Sequence, residues 1–223
     1  MMMPSMYKKV VCFDLDDTLY KEIDFLKSAY QEIADFFRDQ YGIYGLWSEM
    51  LRYYGEKKDV FQEVIDFYKC PINKETLLKM YRNHKPNIRL DDDTRETLDR
   101  LKAEGYGLGL ITDGRMVSQM NKIVALGLDN YFAKENIIIS EVWGLEKIDG
   151  LGYDLMERFF PDCEYTYVGD NPNKDFVAAN ERGWKTVCLL DNRRNIHKQD
   201  FSLPKEYLPK YKIDIIKKLL FLV

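Results

Sequence analysis

The chain changes its hydrophobic rhythm twice. Near the start, Val10, Val11, Cys12 and Phe13 form a short unbroken apolar run. Such a run predicts a strand buried on both faces of a parallel sheet. From about residue 21 to 86 no run of branched residues recurs, and apolar positions return at helical spacing instead. Phe25, Leu26, Ala29, Ile33, Phe36 and Phe37 share one face of a helix that runs toward Tyr41 and is interrupted by Gly42 and Gly45. Further helices are predicted near 47–54 and 59–68, and from Asn73, a good N-cap, through Leu77, Leu78 and Tyr81. This stretch reads as an all-helical insertion with its own small core.

From Asp91 onward strands and helices alternate. Apolar runs predict strands at 108–112, 137–140, 165–169 and 186–190. Between them lie helices that begin at Asp91 or Asp92 and end at Gly105, then near 116–126, 153–160 and 174–182. Alternation of this kind implies right-handed crossovers and a parallel sheet with helices on both faces. Residues 191–206 are polar and read as a surface excursion. Ile213, Ile216, Leu219 and Leu220 then space like one face of a last helix packed on the sheet. Gly105, Gly107 and Gly109 are not a dinucleotide loop: they leave a helix and enter a strand, the reverse of that motif's context.

Composition narrows the class. With 223 residues and an apolar fraction of 46%, the chain can bury a core as one large domain or as a domain with an insertion. A net charge of −4 argues against nucleic acid as the main partner. Cys12, Cys70, Cys163 and Cys188 are widely spaced and form no Cys-x-x-Cys pair, so neither disulfides nor a zinc site is expected, and the protein reads as reduced and cytoplasmic. The first nine residues contain no apolar signal region. The apolar C-terminus, 213–223, is shorter than the about 20 residues that span a bilayer, so no membrane role is expected.

The candidate chemistry begins where the first strand stops. Asp14, Asp16 and Asp17 follow Phe13 directly, with Thr18 behind. Ligands of open α/β sheets bind beyond the carboxyl ends of the strands, so Asp14 and Asp16 arrive where a site belongs. Crowded carboxylates resist ionising together unless a cation sits among them. An all-oxygen cluster suits a hard ion such as Mg²⁺. Other strand ends add Thr112-Asp113-Gly114, Lys147 in Glu146-Lys147-Ile148-Asp149, and Gly169-Asp170-Asn171-Pro172 followed by Asp175. Singly, these are a helix cap, a solvated loop lysine and a turn. Together, each at a strand end or just beyond, they form a set.

In order and spacing that set resembles the haloacid dehalogenase-like (HAD) superfamily of phosphohydrolases, over roughly residues 8–190. Many relatives carry Lys-Pro-Asp-Pro in the third motif. This chain has Lys147-Ile148-Asp149-Gly150, which keeps the charges and loses both prolines. The resemblance implies an α/β fold, a Rossmann-like three-layer parallel-sheet core (1–20 and 87–223) with an inserted all-helical cap domain (21–86). It implies a Mg²⁺-dependent phosphatase acting through an aspartyl-phosphate. Asp14 matches the nucleophile and Asp16 the general acid, which also binds the metal through its backbone carbonyl. Thr112, Asp113 and Lys147 match phosphate contacts. Asp170 matches a metal ligand, with Asp175 as ligand or close support. The dehalogenase branch lacks the second aspartate, so Asp16 points to phosphate chemistry. The lid favours a small phosphorylated metabolite, such as a sugar phosphate or nucleoside monophosphate. A phosphomutase of the same superfamily and a phospho-accepting signalling module are the alternatives, and the oligomeric state stays open. Arg115 either meets substrate or faces water.

Overall fold

The computed structural model describes residues 6–69, 71–144 and 146–223. Cys70, one of the four cysteines, lies outside them. The chain opens with strand β1 (Lys9–Phe13), and four helices follow: α1 (Glu22–Tyr41), α2 (Leu46–Gly55), α3 (Val60–Tyr68) and α4 (Lys74–Asn83). Then come α5 (Asp92–Ala103), β2 (Gly107–Thr112), α6 (Met116–Ala125), β3 (Ile137–Ile139), the single turn α7 (Ser140–Trp143) and α8 (Leu151–Phe159). The chain continues through β4 (Glu164–Gly169), α9 (Val177–Glu181), β5 (Lys185–Leu189) and β6 (Tyr211–Ile213).

All six strands run parallel in the order β3-β2-β1-β4-β5-β6. The chain builds outward one way from β1 through β2 and β3, then returns to build the other way from β4. The order therefore reverses between β1 and β4, the place where open α/β sheets bind ligands. Period-two alternation along β1 feeds both faces of the sheet. Val11 and Phe13 enter one core, with Leu98 and Leu101 of α5 and Ile123 of α6. Val10 and Cys12 enter the other, with Tyr153 and Met156 of α8 and Ala178 of α9. Gly107 and Gly109 are packing residues: a Cβ at 109 would sit 2.8 Å from both the Cys12 and Met156 sulfurs.

Helices α1 to α4 share a third core of Leu26, Tyr30, Ile33, Phe37, Met50, Tyr53, Phe61 and Leu77. Local signals set their ends. Asp59 and Asn73 accept from the amides of Gln62 and Thr76 as N-caps, and Gly42 closes α1 in the left-handed conformation. The chain leaves and re-enters the sheet side at one seam. There His84, on the return path, bonds Ser28 Oγ (2.7 Å) and Glu32 Oε2 (2.5 Å), four residues apart on α1. Among the described residues, no helix is long and apolar enough to cross a membrane.

Three expectations need correction. The last helix is a 3₁₀ turn over Ile216–Phe221, and Ile213 lies in β6, an edge strand. Three residues with two exposed are too short to show period-two alternation. The helix expected at 174–182 begins only at Val177, because Asn171 to Asp175 are drawn into the site. Residues 191–206 are not only a surface excursion, since Asn195, Ile196 and Gln199 reach the site.

Candidate active site

Backbone geometry delivers the first carboxylates. The Asp14 amide donates to Val168 O at 2.8 Å, so β1–β4 pairing continues one residue past the strand and sets Asp14 at the switch point. The chain then turns sharply, with Asp17 at φ 58. Asp17 earns that conformation: its Oδ1 accepts the Glu22 amide at 3.0 Å, capping α1, and its Oδ2 accepts the Ile196 amide at 2.8 Å.

Lys147 is buried and bridges two strand ends. Its Nζ lies 2.5 Å from Asp14 Oδ1 and 2.8 Å from Asp175 Oδ1. The missing prolines have a local substitute. Lys147–Asp149 is a 3₁₀ turn closed by a reciprocal Glu146–Asp149 capping box and left by Gly150 at φ 81. Asp113 steadies the same turn by accepting the Lys147 amide at 3.0 Å. Asp175 Oδ2 accepts the amides of Asp170 (3.0 Å) and Asn171 (2.8 Å). A Cβ at Gly169 would overlap that carboxylate, so glycine is required there. Buried Tyr153 and Tyr167 floor the cluster, and Tyr153 donates to the Asp175 carbonyl at 2.7 Å.

One ligand oxygen from each of Asp14, Asp170 and Asp175 lies within 4.8 Å of the others. Burial, then the neighbouring Asp175, pushes the Asp14 carboxyl up to about 7 although Lys147 pulls it down. Burial, then Asp175 and Asp14, pushes Asp170 up to about 9. Burial opposes the charge on Lys147, and Asp14 and Asp175 outweigh it. The arrangement has more negative charge than it can neutralise, in a dry place with oxygen donors only. Those residues fit a hard dication.

The structure thus brings Asp14, Lys147, Asp170 and Asp175 together. It turns the Asp16 carboxylate toward α6 instead. Lys122 Nζ donates to both of its oxygens at 2.7 and 2.9 Å, and Gln119 Nε2 and Tyr20 OH add bonds of 2.9 and 2.5 Å. Burial alone would raise Asp16, but the Lys122 charge and these hydrogen bonds hold it below its usual range. Thr112 Oγ1, at the end of β2, accepts from the same Gln119 amide at 2.6 Å. Arg115 pairs with Glu141 at 3.5 Å and is half exposed.

A cavity of about 150 Å³ opens over this ground, lined by Asp14, Asp16, Asp17, Glu22, Asp113, Asp170, Asn171, Lys174 and His197. A wider groove of about 770 Å³ is lined by α1, Trp47 and residues 84–89, not by strand ends. Sequence reasoning missed Glu22, Gln119, Lys122, Asn195 and His197. Asn195 Nδ2 donates to Asp170 Oδ2 at 2.8 Å, and Gln199 Nε2 to the Asp170 carbonyl at 2.7 Å. No periodicity marks such loop residues. For α6 a signal existed, since a helix that buries Gln119 and Lys122 leaves Met116, Val117 and Val124 exposed.

The family model of haloacid dehalogenase-like hydrolases matches residues 11–189, and the chain belongs to that family. It is an enzyme of the phosphoric monoester hydrolase class. It is 29% identical to the glyceraldehyde 3-phosphate phosphatase of Methanocaldococcus jannaschii, over 95% of this chain and 98% of that one. It is 32% identical to the enzyme of the same name from Pyrococcus abyssi, over 80% of each. Among solved structures, Bacillus subtilis YfnB, bound to magnesium, aligns with a TM-score of 0.67 at 18% identity, over 97% of this chain and 98% of that one. A HAD phosphatase from Thermococcus onnurineus aligns with 0.59 at 21% identity, over 96% and 97%. At these identities the two structures speak to the fold.

Proposed function

We propose that the protein is a cytoplasmic, Mg²⁺-dependent phosphatase of a short phosphorylated metabolite, a triose phosphate such as glyceraldehyde 3-phosphate being the first candidate. One observation carries the chemistry. Lys147 holds Asp14 Oδ1, while Asp14 Oδ2 has no donor among the described residues and shares its cavity with Asp170. That free oxygen attacks phosphorus, the bond to the leaving alcohol breaks, and an aspartyl-phosphate forms on Asp14. Asp16, which takes up a proton from solvent once a donor lets it go, passes that proton to the leaving oxygen and then takes one from the water that releases phosphate. Lys147 and the Thr112 hydroxyl contact the phosphoryl oxygens, and Asp113 acts through the Lys147 turn. Asp14, Asp170 and the Asp16 carbonyl hold the magnesium, with Asp175 supporting them. The bound dication supplies positive charge to the transferring group.

Residues 21–86 form the cap in this reading, and 1–20 with 87–223 the core. The core contacts are common to every phosphate ester, so the cap supplies much of the discrimination. The relatives' substrate name and the small cavity support a triose phosphate. The test is phosphate release from a panel of phosphorylated trioses, pentoses, hexoses and nucleotides, with magnesium and with excess EDTA. Turnover of a triose phosphate above the others, lost in EDTA, is the expected result. Full activity in EDTA overturns the metal assignment, and a nucleotide preference overturns the substrate class.

A further inference from the structure

Lys122 has no part in the chemistry just described, yet it is 4% exposed on α6. A buried ammonium is tolerated only where it is paired. Its partner is Asp16, and counting lone pairs there gives an unexpected result. A carboxylate offers about four acceptor positions, two on each oxygen. Oδ1 accepts from Lys122 (2.7 Å) and Tyr20 (2.5 Å). Oδ2 accepts from Lys122 (2.9 Å) and Gln119 (2.9 Å). All four positions are taken. In this arrangement Asp16 has no place for a proton to transfer and none for a substrate oxygen. One donor must let go before it can act.

The surroundings identify which one. Gln119 is anchored by Thr112 Oγ1 at 2.6 Å, within the core. Tyr20 sits on the same turn as Asp16. Lys122 alone also faces the cap: its Nζ lies 3.9 Å from Glu22 Oε1 and 4.6 Å from the Phe25 ring centre, both on α1. The Glu22 side chain is 23% exposed, and its carboxylate makes no hydrogen bond among the described residues. A second acceptor therefore waits less than one ångström beyond hydrogen-bond range, on the element that a moving cap carries.

We propose that Lys122 is a positioning residue that exchanges between Asp16 and Glu22. While it clamps Asp16, the acid is saturated and idle. When α1 brings Glu22 onto Lys122, one acceptor position on each Asp16 oxygen opens toward the cavity. No bond is made or broken beyond hydrogen bonds, and the ammonium has a carboxyl oxygen to donate to in both positions. The exchange rests on Asp16 being the general acid, as read above.

The test compares an alkyl phosphate with p-nitrophenyl phosphate, whose leaving group needs little protonation, in magnesium. Glu22→Gln replaces the competing carboxyl with an amide, a weaker acceptor for the Lys122 ammonium. It lowers kcat for the alkyl ester by at least about tenfold, a small part of the 10²–10⁴ that acid–base help supplies, and leaves p-nitrophenyl phosphate within about twofold. KM changes little for either. In a Lys122→Met background the effect of Glu22→Gln vanishes, because Glu22 acts only through Lys122. Lys122→Arg keeps both acceptors supplied and retains the Glu22 effect. Additive losses in the double variant, or equal losses on both esters, overturn the exchange. Asp16→Asn keeps the two readings separate. If it slows both esters equally, Asp16 is not the acid and the earlier reading falls. If it is selective for the alkyl ester and Glu22→Gln is not, only the exchange falls. Thermal unfolding of Glu22→Gln and Lys122→Arg within a few degrees of the parent shows that the losses are not global.

Discussion

Two lysine–aspartate pairs stand two residues apart at the end of β1, and they are opposites. Lys147 with Asp14 is donor-poor: Asp170 and Asp175 crowd the same space, and Asp14 is pushed up to about 7 by burial above all. Lys122 with Asp16 is donor-rich: one ammonium, one amide and one phenol satisfy a single carboxylate, which stays below its usual range despite burial. The first pair lies inside the sheet, on a floor of Tyr153 and Tyr167. The second lies on the seam with α1, its carboxylate 19% exposed. A donor-poor carboxylate keeps a lone pair for an electrophile and oxygens for a cation. A donor-rich one is held still and must be released. Charge alone does not separate the pairs; the count of donors per oxygen does.

Asp14→Asn separates the two pairs by the largest effect. An amide cannot replace the attacking carboxylate, so turnover falls by at least about 10³-fold, as for other residues that define a covalent mechanism. The fold is retained, because the crowded cluster loses a charge. More than about a tenth of the parent rate, measured as phosphate release, rules out covalent chemistry on Asp14.

Lys147→Met comes next. Removing one partner of a buried ion pair costs about 3–5 kcal/mol, since the partner is left as an uncompensated charge. Here two carboxylates, Asp14 and Asp175, lose their only ammonium contact among the described residues. Lys122→Met leaves Asp16 with Gln119, Tyr20 and some water, so its loss in denaturant unfolding is the smaller of the two. Equal losses show that donor count does not set the difference.

The pH dependence of stability separates the pairs again. Without metal, Asp14 and Asp170 take up protons near pH 7 and 9 when folded and near 4 when unfolded. The folded chain then binds more protons than the unfolded one across pH 4 to 9, and stability falls as pH rises through that window. Asp16, lowered rather than raised, contributes its loss only below that window. Magnesium needs the ionised carboxylates, so its stabilisation grows as pH rises, reaching about 2.7 kcal/mol at 100 times its dissociation constant. Melting temperatures from pH 5 to 9, with and without magnesium, check both slopes. A metal-free melting temperature that rises over this range contradicts the donor-poor cluster.

The donor-poor pair was legible in the sequence and the donor-rich pair was not. An apolar run ended by a carboxylate places Asp14, Thr112 and Asp170 at strand ends whatever the sheet order, and Lys147 joined them through motif order. The strands β1 to β5 followed from the same runs. The edge strand β6 did not, because three residues, two of them exposed, carry no period. Lys122 and Gln119 lie on a helix that leaves the apolar Met116, Val117 and Val124 outside, a signal of an inverted face that names no partner. Their burial is a property of what faces them, Asp16 and α1, and one helix cannot encode its neighbour. Asn195 and Gln199 lie in a polar loop whose hydrogen bonds, not its pattern, carry it to Asp170.

That loop supplies the smallest predicted effect. Asn195 stands between the two regions: its Nδ2 donates to Asp170 Oδ2 (2.8 Å), and its Oδ1 accepts from Lys21 Nζ (2.7 Å) at the start of the insertion. Arg194 reaches Asp24 of α1 at 2.6 Å, and Ile196 packs against the helical core. Asn195→Ala removes one donor from a carboxylate that is already poor in them, so Asp170 loses a fixed orientation. Groups that orient a metal ligand are worth about 10–100-fold in affinity. The effect here lies at the low end, about tenfold, because Gln199 still holds the Asp170 backbone and the bridge is only part-buried, so water replaces some of what is lost. Magnesium affinity read from calorimetry, or from the concentration dependence of the melting temperature, measures it directly. Asn195→Asp is the stricter variant: it keeps the size of the side chain but sets a fourth carboxylate beside Asp170, replacing a donor with a repelling charge. Metal-free stability drops further than in the alanine variant, and magnesium restores more of it. If both variants bind magnesium as the parent does, the loop after β5 has no hold on the carboxylate cluster, and Asp170 owes its position to the strand end alone.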